Sequence, residues 1–266
     1  MIERLLAEKE ERGRPNGVPH LSHSRISRYL LCPEQYRLYY VENLRPRRYS
    51  ASLVFGQVVH QALASFFRTG AEPAASFAEL WKEAGQVELR YGNRESWEKL
   101  NESGRALLAK FVAEELCRIS KITASEKAFE LGITGIDKPF IGVVDLVADL
   151  DGKRTVTDFK TSASSYAEHE VKLSDQLTAY QLAEPQAMQM ALCVLVKTKE
   201  PKIEWHVSER NSADLLDYLA KAGYVAHEIS ARHFYKRPGM WCAWCDFLPV
   251  CLRDEKKIDE TLVRVR

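Results

Sequence analysis

A chain of 266 residues with 45% apolar side chains is long enough to bury a full core, in one large domain or two small ones. Lys plus Arg number 38 against 37 Asp plus Glu, so a net charge of +1 excludes global attraction to polyanions and leaves nucleic-acid affinity to local patches. The opening MIERLLAEKEERGRPNG lacks the apolar stretch of a signal peptide and the longest apolar run, Ala191 to Val196, cannot span a bilayer, so no membrane role is expected and the cytoplasm is the expected compartment.

In chain order, residues 1 to about 20 read as a polar helix followed by a Pro/Gly-containing connection. Leu21 to Tyr40 and Leu53 to Phe67 carry helical apolar spacing, the second with Leu53, Gly56, His60, Leu63 and Phe67 on one stripe. Two further polar helices are predicted within Ser76 to Leu116. The pattern then changes to strands over Ala124 to Leu131, Phe140 to Leu150 and Arg154 to Lys160. A helix is predicted over Ser174 to Leu182, a buried strand over Gln189 to Lys197, an alternating strand over Lys202 to Ser208 and a helix over Ala213 to His233. No internal repeat, low-complexity tract or Gly/Ser-rich linker divides the chain.

The informative stretch is GVVDLVADLDGKRTVTDFKTS, two strand-like runs joined by Asp151-Gly152, a signal for a two-residue hairpin turn. If Leu150 pairs with Lys153, counting outward places Asp145 directly opposite Asp158. Opposed β-carbons on a sheet lie roughly 4.5–5.5 Å apart, where two carboxylates repel unless a proton or cation sits between them. Strand alternation puts Lys160 on the face of Asp158 and turns Phe159 into the other layer. A hard divalent cation held by such acids polarises a phosphoryl oxygen and lowers the pKa of bound water, while the ammonium orients that water or stabilises developing negative charge. The acids stand among Ile141, Val143, Val144, Leu146 and Val147, an apolar succession expected of a strand covered on both faces rather than an exposed polar hairpin.

With these residues in place, the chain resembles the PD-(D/E)XK nucleases of the RecB-like branch, which includes AddB-type and CRISPR-adaptation exonucleases. GVVD carries the first acid at Asp145, and TDFKT the Asp-x-Lys pair at Asp158 and Lys160. FGQVVH resembles the upstream Gly-x-x-x-His helix with His60 as ligand, and DQLTAY the Gln-x-x-x-Tyr helix with Gln176 and Tyr180 one turn apart. Val144 stands where the name-giving proline would be. The resemblance implies an α/β fold: a restriction-endonuclease-like mixed sheet flanked by helices, with an N-terminal helical region and a C-terminal tail joined by a metal cluster. It implies a single nuclease domain over 21–266 after the extension 1–20, with a helical part about 21–120, a catalytic core about 121–210, and the C-terminal helix and cysteines about 211–266. It also implies Mg²⁺ or Mn²⁺ held by His60, Asp145, Asp158 and the Phe159 carbonyl, with Lys160 assisting water attack. Gln176 and Tyr180 would face the substrate or brace the site, and Glu126 in SEKAFE would be an extra upstream acid.

WCAWCDFLPVC places Cys242, Cys245 and Cys251 with gaps of two and five residues, spacing that suggests soft-metal ligation in a reducing compartment. A fourth ligand is missing locally, and the resemblance supplies Cys32, because the iron–sulfur branch pairs one early cysteine with a late group of three. Four thiolates fit a structural zinc or a [4Fe-4S] cluster, and the resemblance favours the latter, clipping the N-terminal helices to the tail. Cys117 and Cys193 are expected to be core residues.

LRPRRYS, residues 44–50, sets three arginines beside Tyr49, with Tyr39 and Tyr40 upstream, a mixture able to grip phosphates and stack bases. The expected activity is exonucleolytic hydrolysis of DNA, on single strands or duplex ends, within a recombination, repair or CRISPR-adaptation complex. The competing readings are a catalytically vestigial end-binding or scaffold subunit, and a zinc-stapled interaction protein.

Overall fold

The computed structural model describes residues 19–265; the polar helix read within residues 1 to about 20 lies almost wholly outside them. Helix α1 (His23–Leu31) starts where Ser22 caps it, its hydroxyl accepting from the Arg25 N–H at 3.3 Å. The helix expected to run on to Tyr40 is interrupted: Cys32 is extended, and Pro33 restarts the chain as α2 (Pro33–Tyr36), which widens into a π turn over Arg37–Val41. Short strands β1 (Leu44–Pro46) and β2 (Tyr49–Ser50) then lead into α3 (Ala51–Thr69), closed by Gly70 at φ 75°. Helix α4 (Pro73–Ala84), strand β3 (Leu89–Arg90) and helix α5 (Trp97–Lys110) complete the helical part.

The sheet follows as β4 (Ile119–Leu131), β5 (Phe140–Leu150) and β6 (Lys153–Ser162), then α6 (Glu168–Lys172), α7 (Asp175–Ala183), β7 (Gln189–Val196) and β8 (Lys202–Ser208). Its order is β4-β5-β6-β7-β8, antiparallel except for the parallel β6–β7 pair, whose connection carries α6 and α7. A long helix α8 (Ser212–Ser230) begins in a capping box formed by Asn211 and Asp214, and the tail holds α9 (Leu248–Leu252), α10 (Glu255–Thr261) and β9 (Leu262–Arg264).

Helices cover both faces of the sheet, which explains why β7 is buried along its whole length. On one face α3, α4 and α5 pack Phe55, Phe77, Trp81 and Leu107 against Leu146, Phe159 and Cys193. On the other, Val171, Leu177 and Tyr180 of α6 and α7 meet Val144, Val156, Met190 and Val194. The N-terminal helices are tied to the tail by the β1–β9 ladder, by Tyr29 Oη donating to the His233 carbonyl at 2.7 Å, and by the Glu34 N–H donating to the Tyr235 carbonyl at 3.0 Å. Two expectations need correcting. Leu53 leaves its predicted stripe and is 55% exposed, because the buried line of α3 runs instead through Val54, Phe55, Val58 and Val59. Cys117 is exposed rather than core, since it sits in a single 3₁₀ turn at the end of the helical part, whereas Cys193 is buried in β7 as expected.

Candidate active site at a strand fork

Asp151 and Gly152 both take positive φ, 50° and 82°, the conformation a two-residue primed turn requires. The turn sets the expected register, and β5 pairs β6 from Leu150↔Lys153 to Leu146↔Thr157. The ladder ends one step short of Asp145 and Asp158, while β6 stays paired to β7 through Ser162↔Val196. The two strands therefore fork where the acids sit. Alternation along β5 slips at the same place: Leu146 packs on one face and Val147 on the other, yet Val144 shares the face of Val147.

Into the fork points the carboxylate of Asp145, 5% exposed, whose Oδ2 accepts from the Phe159 N–H at 2.8 Å. That bond replaces the ladder partner the amide would otherwise lack, so Asp145 both belongs to the site and pins the strand carrying Asp158 and Lys160. Helix α3 crosses on the Phe159 side. A β-carbon at Gly56 would lie 3.1 Å from Thr161 Oγ1, so the glycine lets the helix approach the end of β6. One turn later His60 Nδ1 stands 3.2 Å from Asp145 Oδ2.

Asp158, Lys160, Gln176 and Tyr180 close a polar ring. Lys160 Nζ lies 2.8 Å from Asp158 Oδ2 and donates to Gln176 Oε1 at 2.8 Å. Gln176 Nε2 donates to Tyr180 Oη at 2.9 Å, and the tyrosine shares its one proton between Asp158 Oδ1 at 3.2 Å and the Val143 carbonyl at 3.0 Å. Because the ammonium can only donate, the amide oxygen must face it, and the dipoles then run head to tail from Lys160 through Gln176 and Tyr180 to the Asp158 carboxylate. Burial works to lower the Lys160 pKa, but attraction to Asp158 and Asp145 outweighs it and the net shift is upward, so the lysine is a cation rather than a base.

Glu126 lies on β4 between Ser125↔Leu146 and Lys127↔Val144, the register position facing Asp145, and its φ of 52° is unusual for a residue with a side chain. A further residue escaped the sequence reading. His23, at the first position of α1, has its Nε2 3.2 Å from Ser27 Oγ and a buried Nδ1 with no hydrogen-bond partner. Burial, followed by the charge of Lys160, lowers its pKa to about 4. The Ser22 cap marks the start of α1 in the sequence, but nothing in the sequence says that this start lies near Lys160.

The donor chemistry at the fork, two carboxylates and an imidazole, suits a hard divalent cation, and Asp158 Oδ2 is a buried oxygen with no aligned hydrogen-bond donor. Among the described residues no group of three or more His, Cys, Asp or Glu side chains is gathered closely enough to enclose an ion. The carboxylates are instead occupied by protein donors, the Phe159 amide, His60, Lys160 and Tyr180, from which a cation would have to draw them.

Burial raises the Cys245 and Cys251 thiols, and each also feels Cys32, which brings those three to one neighbourhood. Gln35 Nε2 approaches Cys245 Sγ at 3.5 Å, and the Cys242 carbonyl accepts from the Cys245 N–H at 3.2 Å within the 3₁₀ turn. Upstream, Arg28 and Arg45 both lie 3.6 Å from the Tyr39 ring centre, and Arg25 lies 4.1 Å over Tyr40. No helix among the described residues is long and apolar enough to cross a membrane.

The family model described as the PD-(D/E)XK nuclease superfamily matches residues 20–252. Among curated proteins nothing matches. Among solved structures, a protein of Eubacterium rectale named as a “Putative exonuclease” superimposes with a TM-score of 0.50 at 13% identity, over 90% of this chain and 94% of that one. A protein named SSO0001 gives a TM-score of 0.46 at 15% identity, over 94% of this chain and 95% of that one. The first likeness supports the same fold, a mixed five-stranded sheet flanked by helices.

Proposed function

Since the chain belongs to the PD-(D/E)XK nuclease superfamily, we propose that it is a deoxyribonuclease cutting phosphodiester bonds at the β5–β6 fork, as an exonuclease on single strands or duplex ends. The observation that carries this reading is the closed ring joining Asp158, Lys160, Gln176 and Tyr180 beside Asp145. A buried acid and a cationic lysine braced by two further side chains make a rigid electrostatic site, and rigidity is what lets donors stabilise charge as it develops.

Mg²⁺ or Mn²⁺ would be held by Asp145, Asp158, His60 and the Phe159 carbonyl, and would supply Lewis-acid polarisation of the phosphate and a water acidic enough to attack. Lys160, kept protonated by its acidic neighbours, would donate a hydrogen bond to the attacking water or to a phosphoryl oxygen on which negative charge develops. Gln176 and Tyr180 hold the ammonium and Asp158 in fixed relation, and Asp145 keeps the fork open by occupying the Phe159 amide. Glu126 would add a further acid on the β4 side. Arg45, Arg47 and Arg48 with Tyr39, Tyr40 and Tyr49 would contact the DNA. Cys32, Cys242, Cys245 and Cys251 would hold a [4Fe-4S] cluster with a structural role, zinc being the other occupant their donor set admits.

The test is anaerobic purification with iron, zinc and sulfide analysis, then digestion of end-labelled single- and double-stranded DNA with Mg²⁺ or Mn²⁺. Wild type is expected to degrade DNA, with Asp158→Ala and Lys160→Ala reduced by at least about a hundredfold. Equal digestion by all three proteins overturns the site. Binding of ends without cleavage by wild type replaces it with a scaffold role.

A further inference from the structure

A cleft of about 830 Å³ opens beside the start of α3, with Pro46, Arg48, Arg90, Trp244, Asp246 and Glu260 among its lining residues. Segments far apart in the sequence build it. The parallel pairs Tyr49↔Leu89 and Ser50↔Arg90 bring the strand after Arg48 beside Arg90, and the 3₁₀ turn Met240–Trp244 supplies the indole. Trp244 is 73% exposed. An indole exposed on the rim of the tail leaves ring surface on which a base can stack.

The two arginines are held loosely. Arg48 pairs Glu88 at 2.7 Å with both side chains about two-thirds exposed, and Arg90 pairs Asp246 at 3.0 Å, also near the surface. Ion pairs this exposed contribute little, so a phosphate can replace the acid at small cost. We propose that this cleft binds the part of a single DNA strand lying away from the cleavage site, Trp244 stacking a base while Arg48 and Arg90 take neighbouring phosphates. The inference rests on the nuclease reading and narrows its substrate, at this cleft, to an unpaired strand, because a base inside a duplex keeps its faces on its neighbours and has none to offer an indole. Location supports it: Arg48 lies three residues before Ala51, where α3 begins, and from there to His60 the helix rises about 14 Å at ~1.5 Å per residue, a span one extended strand can bridge. Asp246 and Glu260 oppose phosphate, so attraction here is specific to the two guanidinium groups and the indole rather than to bulk charge.

The experiment measures fluorescence anisotropy of labelled oligothymidylates on the full-length chain, in the Lys160→Ala background or with wild type in EDTA, so that no cleavage is needed. Trp244→Ala should weaken a 12-nucleotide strand about tenfold, with Trp244→Phe restoring most of the affinity. Arg48→Ala with Arg90→Ala should weaken it similarly and flatten the slope of log affinity against log salt by about 1.4, at ~0.7 per phosphate. Asp246→Asn, which removes the acid competing for Arg90, should tighten binding severalfold. Unchanged affinity in the Trp244 and arginine variants overturns the proposal, and so does weakening by Asp246→Asn, the outcome of a merely structural ion pair. If wild type cuts no DNA while these shifts appear, the nuclease reading falls and the cleft stands. If wild type cuts and all variants bind as it does, the cleft alone falls.

Discussion

Tyr180→Phe removes one oxygen and opens the polar ring at its buried side. Tyr180 is 5% exposed, and its hydroxyl makes three contacts: it accepts from Gln176 and shares its proton between Asp158 and the Val143 carbonyl. A hydrogen bond to an ionised group contributes about 1.5–3 kcal/mol and a neutral one about 0.5–1.5 kcal/mol. The Asp158 contact is long for an O–H donor, 3.2 Å, and its proton is shared, so the low end applies and the loss comes to about 2 kcal/mol. In a domain of this size that is a fall in Tm of about 4–8 °C. Gln176→Leu alone should cost about 1 kcal/mol, and because the two side chains touch, the double variant should cost less than the sum by about 0.5–1 kcal/mol. Urea unfolding of the four proteins measures the cycle. Nuclease assays on the same proteins should show kcat falling while KM holds, since the ring fixes Lys160 rather than binding DNA. Additivity within about 0.3 kcal/mol, or a Tyr180→Phe protein as stable as wild type, refutes the ring as a cooperative unit.

His23 gives a pH signature: its folded pKa, about 4, lies below the unfolded value of 6.5, so its neutral form is favoured by folding. Stability is then whole above pH 6.5 and falls through the window down to about 4, by about 2 kcal/mol at pH 5, and urea melts of His23→Gln should lose that part of the slope. Gly104→Ala in α5 would gain up to about 1 kcal/mol of helix propensity, but its β-carbon would fall 2.1 Å from Cζ of the fully buried Phe77. The clash wins, so thermal melts should show a net loss of about 1–3 kcal/mol, partly recovered by Phe77→Leu. A divalent cation that draws Asp158 away from Lys160 should raise the Tm of wild type with the logarithm of its concentration above Kd and leave Asp158→Asn unmoved, as read by scanning calorimetry in EDTA and in Mn²⁺.

Much of the site was legible because its geometry is local. The Asp151-Gly152 turn fixes a register, strand alternation puts Asp158 and Lys160 on one face, and a helical turn puts Gln176 beside Tyr180. The fork itself was not legible. Pairing rules predict that a ladder continues, and its end at Leu146↔Thr157 depends on the slip in β5 at Val144 and on Asp145 capturing the Phe159 amide. The helix break at Cys32 was readable from Pro33, yet apolar spacing on both sides concealed it. Strands β1, β2, β3 and β9 have two or three residues each and exist only through partners distant in sequence, so no periodicity could announce them. The cysteine spacing pointed to a common neighbourhood for Cys242, Cys245 and Cys251, with Cys32 added by the resemblance alone, and spacing carries no information about how closely thiols approach.

The fork and the ring also explain each other. Had β5 stayed paired to β6 as far as Asp145, the Phe159 amide would be spent on a backbone carbonyl and the Val143 carbonyl would have no opening toward Tyr180. By parting there, the strands free two backbone groups, and side chains take both: Asp145 the amide, Tyr180 the carbonyl. Each of those side chains belongs to the acidic site, so the energy that satisfies the fork's backbone also fixes the groups around Lys160. Swapping Asp145 for Asn should thus be milder in stability than Asp145→Ala, because an amide oxygen can still accept from Phe159, while both variants should lose the acidic charge that helps keep Lys160 protonated. A folding cost equal in the two variants would separate the strand fork from the site chemistry and break that connection.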